Sequence, residues 1–200
     1  TCCVAMRLVA LVSGGKDSTL AMVWATQWGH EIAVLAHLTP TDISQQSETT
    51  SMEIDSYMYQ SVGSELIPSL AYCLDKPLYI TQHYGRKGNE DLSADPDVCV
   101  LEHLISRIVA DQKALGVAIE GIVSGAILSN YQRTRVEYVY AHHLNPRLTG
   151  SCRKLGLKSV APLWMGNQSQ LLEAMQTAEI EPIFVKVASM GLKGYGKNMA

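Results

Sequence analysis

Two hundred residues, 47% apolar and 18% charged, describe one globular domain with a well-filled core, not a disordered or fibrous chain. A net charge of −3 supplies no basic field and so speaks against broad nucleic-acid binding. No apolar stretch approaches the ~20 residues that span a bilayer, and the opening TCCVAM lacks the layout of a signal peptide, so a cytoplasmic location without a membrane partner is expected.

Met6 stands where a natural start would fall, and residues 1–6 are expected to include an N-terminal extension. Residues 7–12 then read as a strand, 18–28 as a helix closed by Gly29, and 31–38 (EIAVLAHL) as a second strand. The polar stretch 39–52 predicts an exposed loop, followed by helices over 53–62 and 64–74, with Pro68 near the first turn of the latter. Residues 78–81 (LYIT) are a short strand, and 84–97, with its glycines, charges and Pro96, predicts a mobile loop.

From Val98 to Leu115, Leu101, Leu104, Ile105, Ile108 and Val109 recur at helical spacing, and Gly116 ends the run. GIVSGAIL at 121–128 reads as a buried strand, 131–144 as a helix, 158–160 as a strand, 169–178 as a helix and 183–188 as a final strand. Strands separated by helices make the fold α/β: a doubly wound, mostly parallel sheet with helices on both faces. Its ligands are expected at the C-terminal ends of the strands.

The five cysteines are Cys2, Cys3, Cys73, Cys99 and Cys152, odd in number and without a C-x-x-C pair, so neither a disulfide framework nor a zinc site is indicated. Buried, reduced thiols are expected, with Cys99 and Cys152 the two worth testing for reactivity.

The most informative stretch is SGGKDS at 13–18, fed by the apolar run Leu8–Val12 and followed by the helical pattern. Gly14 and Gly15 let the backbone come close to a phosphate, and the free N–H groups of the first helical turn point towards it. Lys16 adds a cation, while Asp17 is placed to hold a magnesium ion between phosphate oxygens. Together with Ser13, these residues form an anion cradle. The Walker spacing G-x-x-x-x-G-K-[ST] is absent from the chain, which points away from γ-phosphate chemistry.

A second stretch, GAILSNYQRTRVE at 125–137, lies where a central strand gives way to a helix. Gly125 would let a nucleotide approach the strand, and Ser129 or Asn130 can cap the helix. Arg133 and Arg135 point to different sides of that helix, so at most one pairs with Glu137. A solvated Arg133–Glu137 pair is one reading. The run Tyr131, Gln132, Arg133 at a strand's C-terminal end argues instead for a binding role.

SGGKDS resembles the pyrophosphate loop of the N-type ATP pyrophosphatases, the adenine nucleotide α-hydrolase-like superfamily that cleaves ATP between the α- and β-phosphates. The order SGGKDS, MEIDSYMYQSVGSELI (52–67), GAILSNYQRTRVE and LGLKSVAPLW (155–164) is similar to one family within it, the diphthine–ammonia ligases. That resemblance extends from Arg7 to about Leu192 and implies one ATP-pyrophosphatase-type domain over 1–200, with about 120–200 carrying the substrate-specific part.

The resemblance also implies the reaction. ATP, with Mg2+, activates the carboxylate of diphthine on elongation factor 2 as an acyl-adenylate, and ammonium, drawn from solution, supplies the amide nitrogen of diphthamide. Ser13–Ser18 would take the pyrophosphate, Ala36, His37 and Leu38 the adenine, and Gly125 the ribose and α-phosphate. Lys16, Asp17, Arg133 and Glu137 would be catalytic, with Asp17 on the metal. Tyr59, Gln60, Ser129, Tyr131, Gln132, Arg133 and Arg135 would bind the substrate. From the residues themselves His37 reads better as a satisfied core histidine than as a nucleotide neighbour, and residues 53–60 read equally as an ordinary amphipathic helix.

Tyr138, Tyr140, Trp24, Trp28 and Trp164 are expected in the core, and His142 and His143 at the surface. Stable nucleic-acid binding is not expected, and a homodimer is left open. Two alternatives stand beside this reading: another pyrophosphatase-type enzyme, either a tRNA-modifying ligase or a sulfurtransferase, and a non-catalytic adenine-nucleotide sensor.

Overall fold

The computed structural model describes residues 4–40, 63–83, 95–141 and 157–183. The strand β1 (Arg7–Leu11) leads through a glycine turn into α1 (Lys16–Gln27), and β2 (Glu31–Pro40) follows. A 3-10 turn at Ser64–Leu66 runs into α2 (Ile67–Cys73), with Pro68 in its first turn, and then β3 (Leu78–His83). The long helix α3 (Pro96–Ala114) precedes β4 (Gly121–Val123), α4 (Asn130–Ala141), β5 (Lys158–Val160) and α5 (Gln168–Thr177).

The five strands form one sheet in the order β3-β2-β1-β4-β5, and every neighbouring pair is parallel. A parallel sheet has to be covered on both faces, because each crossover lays a helix across it. On one face α1, α2 and α5 bury Leu20, Ala25, Ile67, Ala71, Leu171 and Met175. On the other, α3 and α4 bury Leu101, Leu104, Ile105, Ile108, Val136 and Val139. The α/β, doubly wound architecture therefore stands as expected. Successive strands run outward from β1 to β3, and the chain then returns to the other side of β1, so β1 and β4 flank the switch point.

The helix ends follow their caps. Gly29 (φ 87°) and Gly116 (φ 78°) close α1 and α3 in the left-handed conformation. At Gly116 the closure has the Schellman pattern: its N–H bonds the Lys113 carbonyl at 3.0 Å and the Val117 N–H bonds the Gln112 carbonyl at 2.8 Å.

Some expected boundaries move. The helix α1 begins at Lys16, two residues before Ser18, because the glycine turn is complete by Gly15. Pro96 opens α3 and does not belong to a loop: it follows Asp95, whose side chain accepts from the Asp97 and Val98 N–H groups. The strand expected over 121–128 stops at Val123, since Pro162 ends the β5 partner just beyond Val160. Ala126 and Ile127 are sheltered as loop residues instead. Trp28, expected in the core, is half exposed at the end of α1, and Cys73 and Cys99, expected to be buried, are exposed. The helix expected over 53–62, the strand expected over 183–188 apart from Ile183, and Cys2, Cys3, Cys152, His142 and His143 lie outside the described residues.

Gly121 has no room for a side chain. A Cβ there would stand 2.6 Å from the Lys158 carbonyl oxygen and 2.8 Å from Leu8 Cδ2. Gly121→Ala is expected to cost about 1–3 kcal/mol by forcing β4 from its neighbours, read as a lower denaturant midpoint; an unchanged midpoint would contradict this packing.

Candidate functional site

The site is built where β1 and β4 end side by side. Gly14 adopts φ 77°, which turns the chain sharply out of the sheet, and a Cβ there would also press on Ile67 Cδ1 at 3.1 Å. Serine hydroxyls hold the turn. The Gly15 N–H donates to Ser13 Oγ at 3.3 Å, Ser18 Oγ donates to the Gly15 carbonyl at 2.9 Å, and the two hydroxyls lie 3.3 Å apart. No side chain caps α1 at Gly15, so the amides of its first turn stay available to an anion.

Lys16 Nζ reaches both carboxylate oxygens of Asp17 at 3.0 Å. Both side chains are more than a third exposed. Such a pair is worth only a few tenths of a kcal/mol, so Lys16 can swing to a phosphate at little cost.

A cleft opens from this loop across the strand ends. Leu11 contributes from the end of β1 and Val12 from just beyond it, Ala36 and Leu38 from β2, Ser124, Gly125 and Ala126 from the segment after β4, and Gln132 and Val136 from α4. Ser13, Asp17 and Ser18 complete the lining. The cleft combines an apolar wall, suited to a flat ring, with an amide-rich end suited to phosphate. Among the described residues, Asp17 is the only titratable side chain in its lining. Chemistry supported by these residues would rest largely on positioning and electrostatics.

His37 does not face the cleft. It alternates away from Ala36 and Leu38 along the strand, is almost fully buried, and its Nδ1 lies 2.7 Å from the Val12 carbonyl. This is the core histidine that the sequence also allowed. Gly125 lines the cleft, but its missing side chain serves the protein first. A Cβ there would stand 2.7 Å from the Ser18 nitrogen and 2.8 Å from the Asp17 carbonyl carbon. The close approach is thus between the loop after β4 and the first turn of α1.

The helix α4 carries three working stripes. Ser129 Oγ caps it, accepting from the Gln132 N–H at 3.2 Å. Gln132 and Val136, four residues apart, face the cleft. Arg133 and Glu137 occupy the next stripe, joined through Arg133 Nε, and the Arg133 guanidinium stacks over Trp164 with 4.3 Å to the ring centroid. Trp164, expected in the core, thus forms the platform that links the 125–137 segment to the 155–164 segment.

Among the described residues, the terminal nitrogens of Arg133 make no other hydrogen bond, which leaves a planar fork for a carboxylate or phosphate. Arg135 turns the opposite way. It is buried, with Nε 3.1 Å from Asp95 Oδ2 and Nη2 on the same oxygen, and so lies apart from the cleft. Tyr131 stands in the first turn of α4, and Tyr59 and Gln60 lie outside the described residues.

Several lining residues escaped the sequence reading, namely Leu11, Val12, Ser124, Ala126 and Val136. The first four simply follow or end a strand, and that position was the signal available. No cluster of three or more metal-ligating side chains occurs among the described residues. Nor is any described helix long and apolar enough to cross a membrane.

An open, doubly wound parallel sheet whose switch point feeds a serine- and glycine-bounded loop into a helix N-terminus is an α/β architecture that offers an anion site at its strand ends. The sequence model of the diphthamide synthase N-terminal domain matches residues 6–159, and the chain belongs to that family. It is 39% identical over 201 residues to diphthine–ammonia ligase of Schizosaccharomyces pombe, covering 98% of this chain and 29% of that protein. It is 38% identical to the diphthine–ammonia ligase of Rattus norvegicus and 36% identical to that of Homo sapiens, each over 97% of this chain and 67% of the relative. The U34-tRNA thiolase NcsA from Methanococcus maripaludis superposes with a TM-score of 0.45 over 89% of this chain and 58% of its own, at 15% identity.

Cys99, exposed on the outer side of α3, is not poised as a nucleophile. Partial burial pushes its thiol up first, and the negative charges of Glu102 and Asp95 push it further. A raised thiol carries less thiolate at any given pH, so alkylation of Cys99 by iodoacetamide is expected to have its midpoint above the ordinary thiol range. A midpoint near neutrality, followed by peptide mass spectrometry across pH, would contradict that environment.

Proposed function

We propose that this chain holds the ATP-handling domain of a diphthine–ammonia ligase. On this reading, a carboxylate oxygen of diphthine on elongation factor 2 attacks the α-phosphorus of ATP and pyrophosphate leaves. Ammonia, formed from ammonium by loss of a proton, then attacks the acyl carbon. AMP departs with the bonding electrons, and a second proton passes to solvent as the amide of diphthamide forms. Residues 1–200 act as one domain, with 120–200 supplying the substrate-specific part, in the cytoplasm where the elongation factor works.

The observation that carries the proposal is the meeting, in one cleft, of Ser13, Asp17 and Ser18 of the SGGKDS loop with the α4 stripe bearing Gln132 and Val136, while Gly14, Gly15 and Lys16 line the pocket on the other side of the same loop. The matched family and its curated relatives support the choice of reaction. The α1 amides and Lys16 neutralise the pyrophosphate as negative charge gathers on it, which is where preorganised donors accelerate such a step. The apolar wall at Ala36 and Leu38 receives the adenine.

Arg133, stacked on Trp164 and tied to Glu137, presents its fork to the diphthine carboxylate or the α-phosphate. Magnesium accompanies the nucleotide. One carboxylate together with phosphate oxygens is an ordinary Mg2+ set, and Asp17, on the rim beside Lys16, is the group that fits it. The remaining work is alignment, which a rigid sheet edge supplies.

Two substitutions separate the roles. Lys16→Ala is expected to lower ATP-derived pyrophosphate release by about 100- to 1000-fold while leaving a cooperative melt; a lost melt would make the loop structural. Arg133→Ala is expected to lower amidation at least tenfold, an order-of-magnitude figure for one charged contact, with ATP affinity little changed. Equal loss of both would move Arg133 into the nucleotide site.

A further inference from the structure

The strongest feature outside the cleft is a buried charge pair joining two helices. Asp95 is fully buried and Arg135 nearly so. A carboxylate without water has to be satisfied by partners, and Asp95 divides its two oxygens between two tasks. Its Oδ1 accepts from the Asp97 N–H at 2.9 Å and the Val98 N–H at 3.3 Å, capping α3. Its Oδ2 receives Arg135 Nε at 3.1 Å and also Nη2, forty positions along the chain.

The guanidinium cannot slide along or turn away without stranding a charge in the interior, so the pair fixes α4 both along its axis and about it. That setting matters because the other two stripes of α4 aim Gln132 and Val136 into the cleft and Arg133 onto Trp164. A turn of the helix by a fraction of its circumference would carry all of these off target.

We propose that Asp95 is a positioning residue for the reaction: through Arg135 it sets the rotation of α4, and thereby the aim of Arg133 and Gln132 at the substrate. This rests on the proposed ligase activity only for its kinetic consequence; the geometric consequence stands without it.

The test reads Trp164 directly. The chain has three tryptophans, and with Trp24→Phe and Trp28→Phe in place Trp164 becomes the single emitter. Asp95→Asn keeps an oxygen for the α3 cap, where Asn serves as well as Asp, but withdraws the charge that holds Arg135. In that variant the Trp164 emission is expected to move in the same direction as it does in Arg133→Ala. In otherwise natural protein, Asp95→Asn is expected to lower kcat for amidation between about tenfold and a hundredfold, with ATP affinity within about twofold.

Arg135→Lys, which keeps the buried charge but drops the fork, is expected to reproduce both effects and replaces Asp95→Asn if that variant does not fold. Trp164 emission left unmoved in folded variants, with only the melting temperature lowered, would overturn the proposal. So would ATP affinity falling in step with kcat. If the natural protein shows no amidation at all, the ligase reading fails, and the emission result still decides whether Asp95 sets α4.

Discussion

The site depends on a single close approach. The chain leaves β1 and β4 side by side, and the two segments that follow are pressed together until Gly125 lies against the backbone of Asp17 and Ser18, at a separation that admits no Cβ. Two neighbouring parallel strands whose connections depart in opposite directions create a crevice at their ends. Here the crevice is narrowed until the first turn of α1 and the loop before α4 share one wall. The free amides of the first turn of α1 and the cleft-facing side of α4 therefore hold a fixed relation, and preorganisation of this kind is what catalysis by alignment requires.

From that contact the arrangement spreads outward through α4. One stripe of the helix serves the cleft, a second stacks Arg133 on Trp164 from the loop after β5, and a third anchors Arg135 to Asp95 at the start of α3. Three separate elements are thus referred to one helix. The exposed Lys16–Asp17 pair is the opposite kind of interaction, weak and solvent-screened, and that weakness suits groups that must change partners when a charged ligand enters. Rigid buried contacts set the geometry, and loose surface contacts do the exchanging.

Much of this was legible in the sequence, for identifiable reasons. The strand–glycine–helix order at 8–18 follows from local sterics, and α3 from five apolar positions at helical spacing, so both are present, each helix starting two residues earlier than expected. The strand at 121–128 was read too long because burial alone cannot separate a strand from a sheltered loop. Ala126 and Ile127 are sheltered after the strand has already ended. Asp95 was missed, although Asp followed by Pro is a helix-start signal, because the surrounding glycines and charges suggested a loop. Its partner Arg135 lies forty residues away and only the fold joins them. Cys99 sits beside buried Val98 on the outward side of α3, a matter of helix phase that composition does not reveal.

On the proposed function, this cleft converts a carboxylate to an amide at the expense of the α–β bond of ATP. The most direct measurement incubates the protein with ATP, magnesium, ammonium and elongation factor 2 bearing diphthine, following nucleotides by chromatography and the modified peptide by mass spectrometry. AMP and pyrophosphate are expected in step with the amidated peptide, and amidation only when ammonium is present. Formation of ADP and phosphate, or AMP without any amidated peptide, would contradict it.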